Sequence, residues 1–310
     1  MGMKLMNIFK TIFSLTRVQN LFIICLTLLL ARYSVIKPIL SLSELTSGIT
    51  DELYSLLIFS VLLIAAAGYV INDYHDTGID SINKPGKNKV GNQISRTSSL
   101  LIYIVLTLLG LAGAFIFGHL SGTRYAGIVF AFCAGFLYFY SSSYKKMFLV
   151  GNLIISFLTA ITLLLSIIFD KPALSIQPIV TLISAYAIFA FVMTLIREII
   201  KDCEDIEGDS VFGATTLPVL AGTKIAGVIT TLLCTGVFCA ILYIQILQSQ
   251  WENTLSFVYI LIFIQLPVLV LAFLSAKAKT KSQYHFNSNL SKVIMLTGVL
   301  SMLVFYLSSY

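Results

Sequence analysis

Two short strings hold most of the aspartates of this chain. The first reads Asn72-Asp73-Tyr74-His75-Asp76-Thr77-Gly78-Ile79-Asp80, and the second reads Asp202-Cys203-Glu204-Asp205-Ile206-Glu207-Gly208-Asp209. In each, aspartates recur at i, i+3 and i+7, so an offset of 129 residues superposes Asp73, Asp76 and Asp80 on Asp202, Asp205 and Asp209. At about 100° per residue these positions fall within roughly 60° of one another, on a single helical stripe. Glu204 and Glu207 point away from it. Three carboxylates on one stripe repel one another, by several tenths of a kcal/mol per pair even when exposed, so something must compensate. A hard dication does so, and Mg²⁺ typically takes only one or two carboxylates, completing its shell with waters and phosphate oxygens. Two such clusters facing each other would hold roughly two or three magnesium ions around one diphosphate.

Diphosphate is a good leaving group only if its developing charge is neutralised, by metal and by Lys or Arg. The basic residues are in place for it. Lys84, Lys87 and Lys89 follow the first cluster, Lys145 and Lys146 follow the fourth apolar stretch, and Arg197 and Lys201 immediately precede the second cluster. The group left behind would be an allylic cation on a long isoprenoid tail, which calls for an apolar channel and aromatic faces. Tyr69, Tyr74, Phe136, Tyr138, Phe139, Tyr140 and Tyr144 stand at suitable depths, although aromatics at these positions also fit an interfacial belt. Calcium loops do not fit, because neither string has ligands at alternate positions, the central Gly and the terminal Glu. His75, His119 and His285 lie on different loops, and His75 is off the aspartate stripe. Cys25, Cys133, Cys203, Cys234 and Cys239 form no CxxC pair and read as small apolar core residues.

The elements that must position these residues are membrane helices. Of the 310 residues, 58% are apolar and 11% charged, against roughly a quarter charged in an average soluble domain. A spanning helix needs about 20 apolar residues to cross ~30 Å of hydrocarbon. The hydropathy pattern predicts nine spans, at about residues 18–38, 53–71, 99–118, 124–141, 149–169, 175–197, 223–246, 254–275 and 290–309, forming a single all-α membrane domain over residues 1–310. The apolar run after Arg17 lacks a small-residue cleavage site and reads as a retained first span. The net charge of +6 does not point to nucleic acid. All of the 20 Lys and Arg residues except Arg32, Lys37, Arg124 and Lys171 fall on one side of the nine spans. The positive-inside rule then puts the N-terminus and both acidic loops in the cytoplasm and the C-terminus outside. Residues 72–97 and 198–222 are the two long, polar inner loops.

At these residues the sequence resembles the UbiA superfamily of intramembrane prenyltransferases. The family's NDxxDxxxD is met from Asn72 through Asp73 and Asp76 to Asp80, and its DxxxD by Asp205 and Asp209, with Asp202 as an additional acid. Asn83-Lys84-Pro85 resembles its Asn-Arg-Pro with Lys for Arg. Arg17 and Asn20 resemble its Arg-x-x-Asn at the first span, and Tyr140 with Lys145-Lys146 its Tyr-then-basic-pair segment. The resemblance implies a nine-helix bundle around a central cavity open sideways to lipid, and Mg²⁺-dependent transfer of a prenyl group. The string from Arg197 to Asp209, followed by Gly213 and Thr216-Leu217-Pro218, is similar to archaeal-type members that prenylate geranylgeranylglycerol phosphate. Aromatic-acceptor members share part of it.

The expectation is therefore an enzyme that moves a prenyl group from a prenyl diphosphate to a lipophilic hydroxyl or aromatic acceptor in the bilayer. Asn72, Asp76, Asp205 and Asp209 would bind metal, with Asp73, Asp80 and Asp202 completing the shells. Arg17, Asn20, Lys84, Tyr140, Lys145, Arg197 and Lys201 would contact substrate. The rival class is a transporter with acidic gating residues, which more often places ionisable groups at the midplane on broken helices and repeats whole bundles.

Overall fold

The computed structural model describes residues 10–83, 88–248 and 254–309. Its elements are helical. The described residues contain α1 (Val18–Leu30), α2 (Lys37–Leu42), α3 (Asp51–His75), α4 (Thr77–Asn83), α5 (Arg96–Leu120), α6 (Ala126–Ser142), α7 (Val150–Ile168), α8 (Lys171–Ser175) and α9 (Gln177–Glu204). They continue with α10 (Ile206–Val211), α11 (Leu217–Ala221), α12 (Thr223–Gln248), α13 (Thr254–Ile260), α14 (Leu266–Lys277) and α15 (Lys281–Ser309). Counting α1 with α2 and α13 with α14 as continuous rods, 8 helices among the described residues are long and apolar enough to cross a membrane. The apolar helix α6, with 17 residues, is the ninth. The nine stretches expected from hydropathy are thus nine apolar helices, of which the fourth is short for a full crossing.

The ends of these helices follow from local sequence. Thr50 caps α3 by accepting the amide of Leu53, with Asp51 and Glu52 in the first turn where the helix dipole favours negative charge. Ser95 caps α5 through the amide of Ser98. Asp170 caps α8, and Pro172, Pro178 and Pro218 sit in first turns, where no amide donor is missed.

Two rods contain a π-helical turn, Ala31–Ile36 and Leu261–Gln265, and each is followed at once by a proline, Pro38 or Pro267. Proline offers no amide to the carbonyl four residues earlier and its ring crowds that carbonyl. At Pro267 the released carbonyl is that of Phe263. It accepts a hydrogen bond from Thr297 Oγ1 at 2.8 Å. In hydrocarbon such a repair is obligatory, because no water is at hand to make it.

The chain divides into two compact units: residues 1–26 with 48–145, and residues 27–47 with 146–310. In the first, α3 packs along α5 and also against α6. Small residues allow the approach. A Cβ at Gly113 would lie 2.4 Å from Ser60 Oγ, and one at Gly110 2.8 Å from Ile64 Cδ1. In the second unit α9 is central, packing on α7, α12 and α15. Its core joins Met193, Ile196 and Ile200 to Val268, Leu271 and Ile294. A Cβ at Gly298 of α15 would fall 2.4 Å from the Phe189 ring.

Candidate active site

Each unit carries one acidic string, and the two are folded alike. In the first, α3 runs through Asn72 and Asp73 and stops at Asp76, whose amide still bonds to the Asn72 carbonyl at 2.9 Å. Asp80 follows one turn into α4, its amide bonded to the Asp76 carbonyl at 2.8 Å. In the second, α9 runs through Asp202 and stops at Asp205, whose amide bonds to the Lys201 carbonyl at 2.9 Å. Asp209 follows in α10, bonded in the same way to the Asp205 carbonyl at 3.1 Å. The middle aspartate of each triplet is the point where a long spanning helix ends and a short one begins. The i, i+3, i+7 spacing is therefore matched by a repeated helix-break-helix conformation, with one instance in each unit.

The side chains around the first break are arranged in two sets. Asn72 Nδ2 donates to Asp76 Oδ2 at 2.7 Å, and Lys145 Nζ forms an ion pair with Asp76 Oδ1. Asp73 takes two other cations: Arg17 Nη2 at 2.7 Å on Oδ1 and Lys89 Nζ at 3.4 Å on Oδ2. Lys89 also donates to the Ser14 carbonyl at 2.6 Å. Arg17 has φ 50°, in the left-handed region that a residue with a Cβ seldom occupies. It ends the helical turn before α1, and its guanidinium lies over the Tyr69 ring, 5.0 Å from the centroid. Burial disfavours the Arg17 charge, but the Asp73 carboxylate together with Tyr69 and Tyr140 outweighs burial and holds its pKa above the ordinary value. Asn20, partly buried in the first turn of α1, bonds through its amide to the Arg17 carbonyl at 2.8 Å. Tyr140 lies close enough to Arg17 to contribute to its electrostatics. Lys84 lies outside the described residues.

Aromatic rings collect beside this set. Tyr74, His75, Tyr138, Phe139 and Tyr144 form a chain of edge and tilted contacts, with Tyr103 stacked on Tyr138 and Arg96 over Tyr74. His75 is in this chain by its ring.

Around the second break, Asp202 Oδ2 accepts from Asn152 Nδ2 of α7 at 2.7 Å. One turn earlier in α9, Glu198 is buried and paired with Arg197 at 2.6 Å and Lys201 at 3.7 Å. Glu204 Oε1 lies 2.9 Å from Nδ1 of exposed His285 of α15, from which it accepts when that nitrogen carries the proton, and Glu207 is exposed. Gly213 takes φ 68° to end α10, and the Ala214 amide then returns to the Asp209 carbonyl at 2.9 Å.

The geometry adds three partners to those expected from sequence. Lys89 is one of several lysines after the first string, and its spacing does not single it out. Asn152 lies fifty positions from Asp202, and a lone Asn at the start of an apolar helix gives no pattern. Glu198 was legible in principle, since an acid just past the end of an apolar span with Lys201 at i+3 is spaced for an ion pair.

Among the described residues no three His, Cys, Asp or Glu side chains converge into a ready-made metal cage. That suits a magnesium site, which takes few protein ligands and relies on substrate phosphate. Asn72 and Asp76 place an amide and a carboxylate side by side, both able to give hard oxygen donors.

A helical membrane protein with matched sets of carboxylates and cations where its spans end has the make-up of an intramembrane enzyme for phosphorylated lipids. The chain belongs to the UbiA prenyltransferase family, whose family model matches residues 20–293. A curated relative, digeranylgeranylglyceryl phosphate synthase of Methanosphaera stadtmanae, is 32% identical over 245 residues, covering 78% of this chain and 83% of the relative. Among solved structures, one described as digeranylgeranylglyceryl phosphate synthase in membranes is 25% identical with a TM-score of 0.63, covering 96% of this chain and 98% of that one. A UbiA homologue from Archaeoglobus fulgidus bound to GPP and Mg²⁺ shares the fold, with a TM-score of 0.51 at 15% identity over 94% of this chain and 99% of the homologue. The chain is thus a multi-pass membrane prenyltransferase.

Proposed function

We propose that this enzyme transfers a prenyl group from a prenyl diphosphate to the free hydroxyl of a geranylgeranylglycerol phosphate-like lipid, forming an ether. The observation that supports the reading is the helix break repeated at Asp76 and Asp205, with Lys145 paired to Asp76 and with Lys201 one turn and Arg197 two turns before Asp205 in α9. The name of the Methanosphaera relative supports the acceptor class. Asn72, Asp76, Asp205 and Asp209 would hold Mg²⁺, with Asp80 and Asp202 behind them and Asp73 fixing Arg17. The metal, when bound, neutralises the diphosphate charge. Residues 1–310 would make up a single membrane prenyltransferase domain.

In this scheme Arg17, Lys84, Lys145, Arg197 and Lys201 steady the diphosphate oxygens, and Asn20 and Tyr140 border the donor. The bond between the allylic carbon and the diphosphate oxygen breaks, and its electron pair leaves with the diphosphate. The aromatic chain around Tyr138 faces the resulting allylic cation and keeps water from it. The acceptor hydroxyl then forms the new C–O bond and releases its proton to an aspartate or to diphosphate. The charge pattern of the loops supports a site at the cytoplasmic leaflet, with the N-terminus inside and the C-terminus outside.

Competition decides the acceptor. Purified protein is incubated with geranylgeranyl diphosphate, magnesium and an equimolar mixture of geranylgeranylglycerol phosphate, hydroxybenzoate and dihydroxynaphthoate, and products are read by mass spectrometry. The glycerol phosphate lipid should gain one prenyl unit. Prenylation of an aromatic acceptor instead would overturn the assignment.

A further inference from the structure

Glu198 is the one acid of α9 that precedes the acidic string, and none of the metal roles above uses it. It lies one turn before Asp202 in α9, and only 7% of it is exposed. An acid in such a place is costly unless paired, and it is retained for a reason. Its two oxygens are divided between two cations. Oε1 accepts from Arg197 Nη1 at 2.6 Å, and Oε2 lies 3.7 Å from Lys201 Nζ.

The local geometry is unusual in a helix. Neighbouring residues project about 100° apart and do not ordinarily face each other, so Arg197 must fold back around the helix to reach Glu198. Arg197 and Lys201 are also four residues apart, a spacing at which like charges repel. The carboxylate between them cancels that repulsion and leaves the trio with one net positive charge. Arg197 keeps an unused donor as well. Its Nε is buried and has no hydrogen-bond partner among the described residues. An N–H donor closed off from water, on a guanidinium already fixed through Nη1, calls for an acceptor oxygen. A planar guanidinium and a point-charge ammonium held side by side are the groups that grip phosphate oxygens.

We propose that Glu198 is a positioning residue that binds Arg197 and Lys201 together and presents them as one receptor for the diphosphate of the donor. The proposal rests on the prenyl-transfer reading and adds to it a residue that touches no reacting atom. Neutralising a buried charge would require one cation. Splitting the carboxylate between two, with a donor of one left open, is the arrangement that aims both.

The test compares wild-type enzyme with Glu198→Gln and Glu198→Asp. Three quantities are measured: binding of inorganic diphosphate in magnesium by calorimetry, KM for prenyl diphosphate and for acceptor separately, and thermal unfolding. Glu198→Gln should weaken diphosphate binding and raise the donor KM by about tenfold or more while leaving the acceptor KM within about twofold. Glu198→Asp, which keeps the charge, should recover part of both. Combined with both Arg197→Met and Lys201→Met, Glu198→Gln should cost little beyond those two changes alone, because it acts through the two cations. A Glu198→Gln protein of lowered thermal stability but unchanged diphosphate binding and donor KM would overturn the proposal and leave a structural charge pair. Failure of the wild-type protein to transfer any prenyl group would overturn the functional reading itself, and this proposal with it.

Discussion

Asp73 and Asp76 are three positions apart and do different work. Asp76 is held by Asn72 and Lys145, whereas Asp73 is taken up by Arg17 and Lys89. Replacing Asp76 or Asp205 with Asn removes a charge at a helix break without touching the packing between spans. Each change should therefore lower kcat/KM by about a hundredfold or more while moving the thermal midpoint by only a few degrees. Enzyme assays beside unfolding curves check this, and near-wild-type turnover in both variants would contradict the metal role. Asp73→Asn should behave otherwise. Arg17 would lose the partner that holds it in a left-handed conformation, so stability should fall by about 1 kcal/mol, the scale of a partly exposed charged pair. The donor KM should rise while magnesium dependence is unchanged. The aspartate spacing made all six acids visible in the sequence. The division of labour was not visible, because it depends on Arg17, Lys89 and Asn152, which reach their partners only through the fold.

At the level of elements, the two features that matter are where helices stop and how they repair themselves in lipid. Periodicity alone suggested one continuous stripe through each acidic string. The structure instead breaks α3 at Asp76 and α9 at Asp205, so that the third aspartate lies one turn into a new short helix. Hydropathy located the spans well, because apolar length is a strong signal. It did not reveal the π turns before Pro38 and Pro267, which arise from the missing proline amide together with a neighbouring helix able to accept the distortion. Thr297→Val keeps the shape of the side chain but removes the donor to the Phe263 carbonyl. It should destabilise the fold by about 1–3 kcal/mol, the cost of a carbonyl left without a partner where hydrocarbon, not water, surrounds the helix. Gly113→Val should cost a similar ~1–3 kcal/mol by forcing α5 away from Ser60 of α3. Thermal unfolding in detergent reads both, and unchanged midpoints would mean that these contacts do not limit stability.

For the whole molecule, composition and charge distribution were enough to place the chain among polytopic membrane proteins, and the paired motifs to place it in the UbiA family. Legibility came from redundancy: apolar length, the inner-loop cations and the doubled aspartate spacing each point the same way. The positive-inside pattern leads to a definite expectation for topology. Single cysteines introduced at Lys89 and Lys171 of a background lacking native cysteines should be labelled by a membrane-impermeant maleimide from opposite sides in oriented vesicles, Lys171 from outside. Labelling of both from one face would refute the arrangement. The central claim is that the acids and cations serve the departure of diphosphate from a prenyl donor. The most direct measurement follows radiolabelled geranylgeranyl diphosphate with purified protein and its lipid acceptor, with magnesium and then with EDTA. The account predicts labelled ether lipid together with released diphosphate in equal amounts, both abolished by the chelator. Uptake of intact label into protein-containing vesicles, with no covalent product, would contradict it.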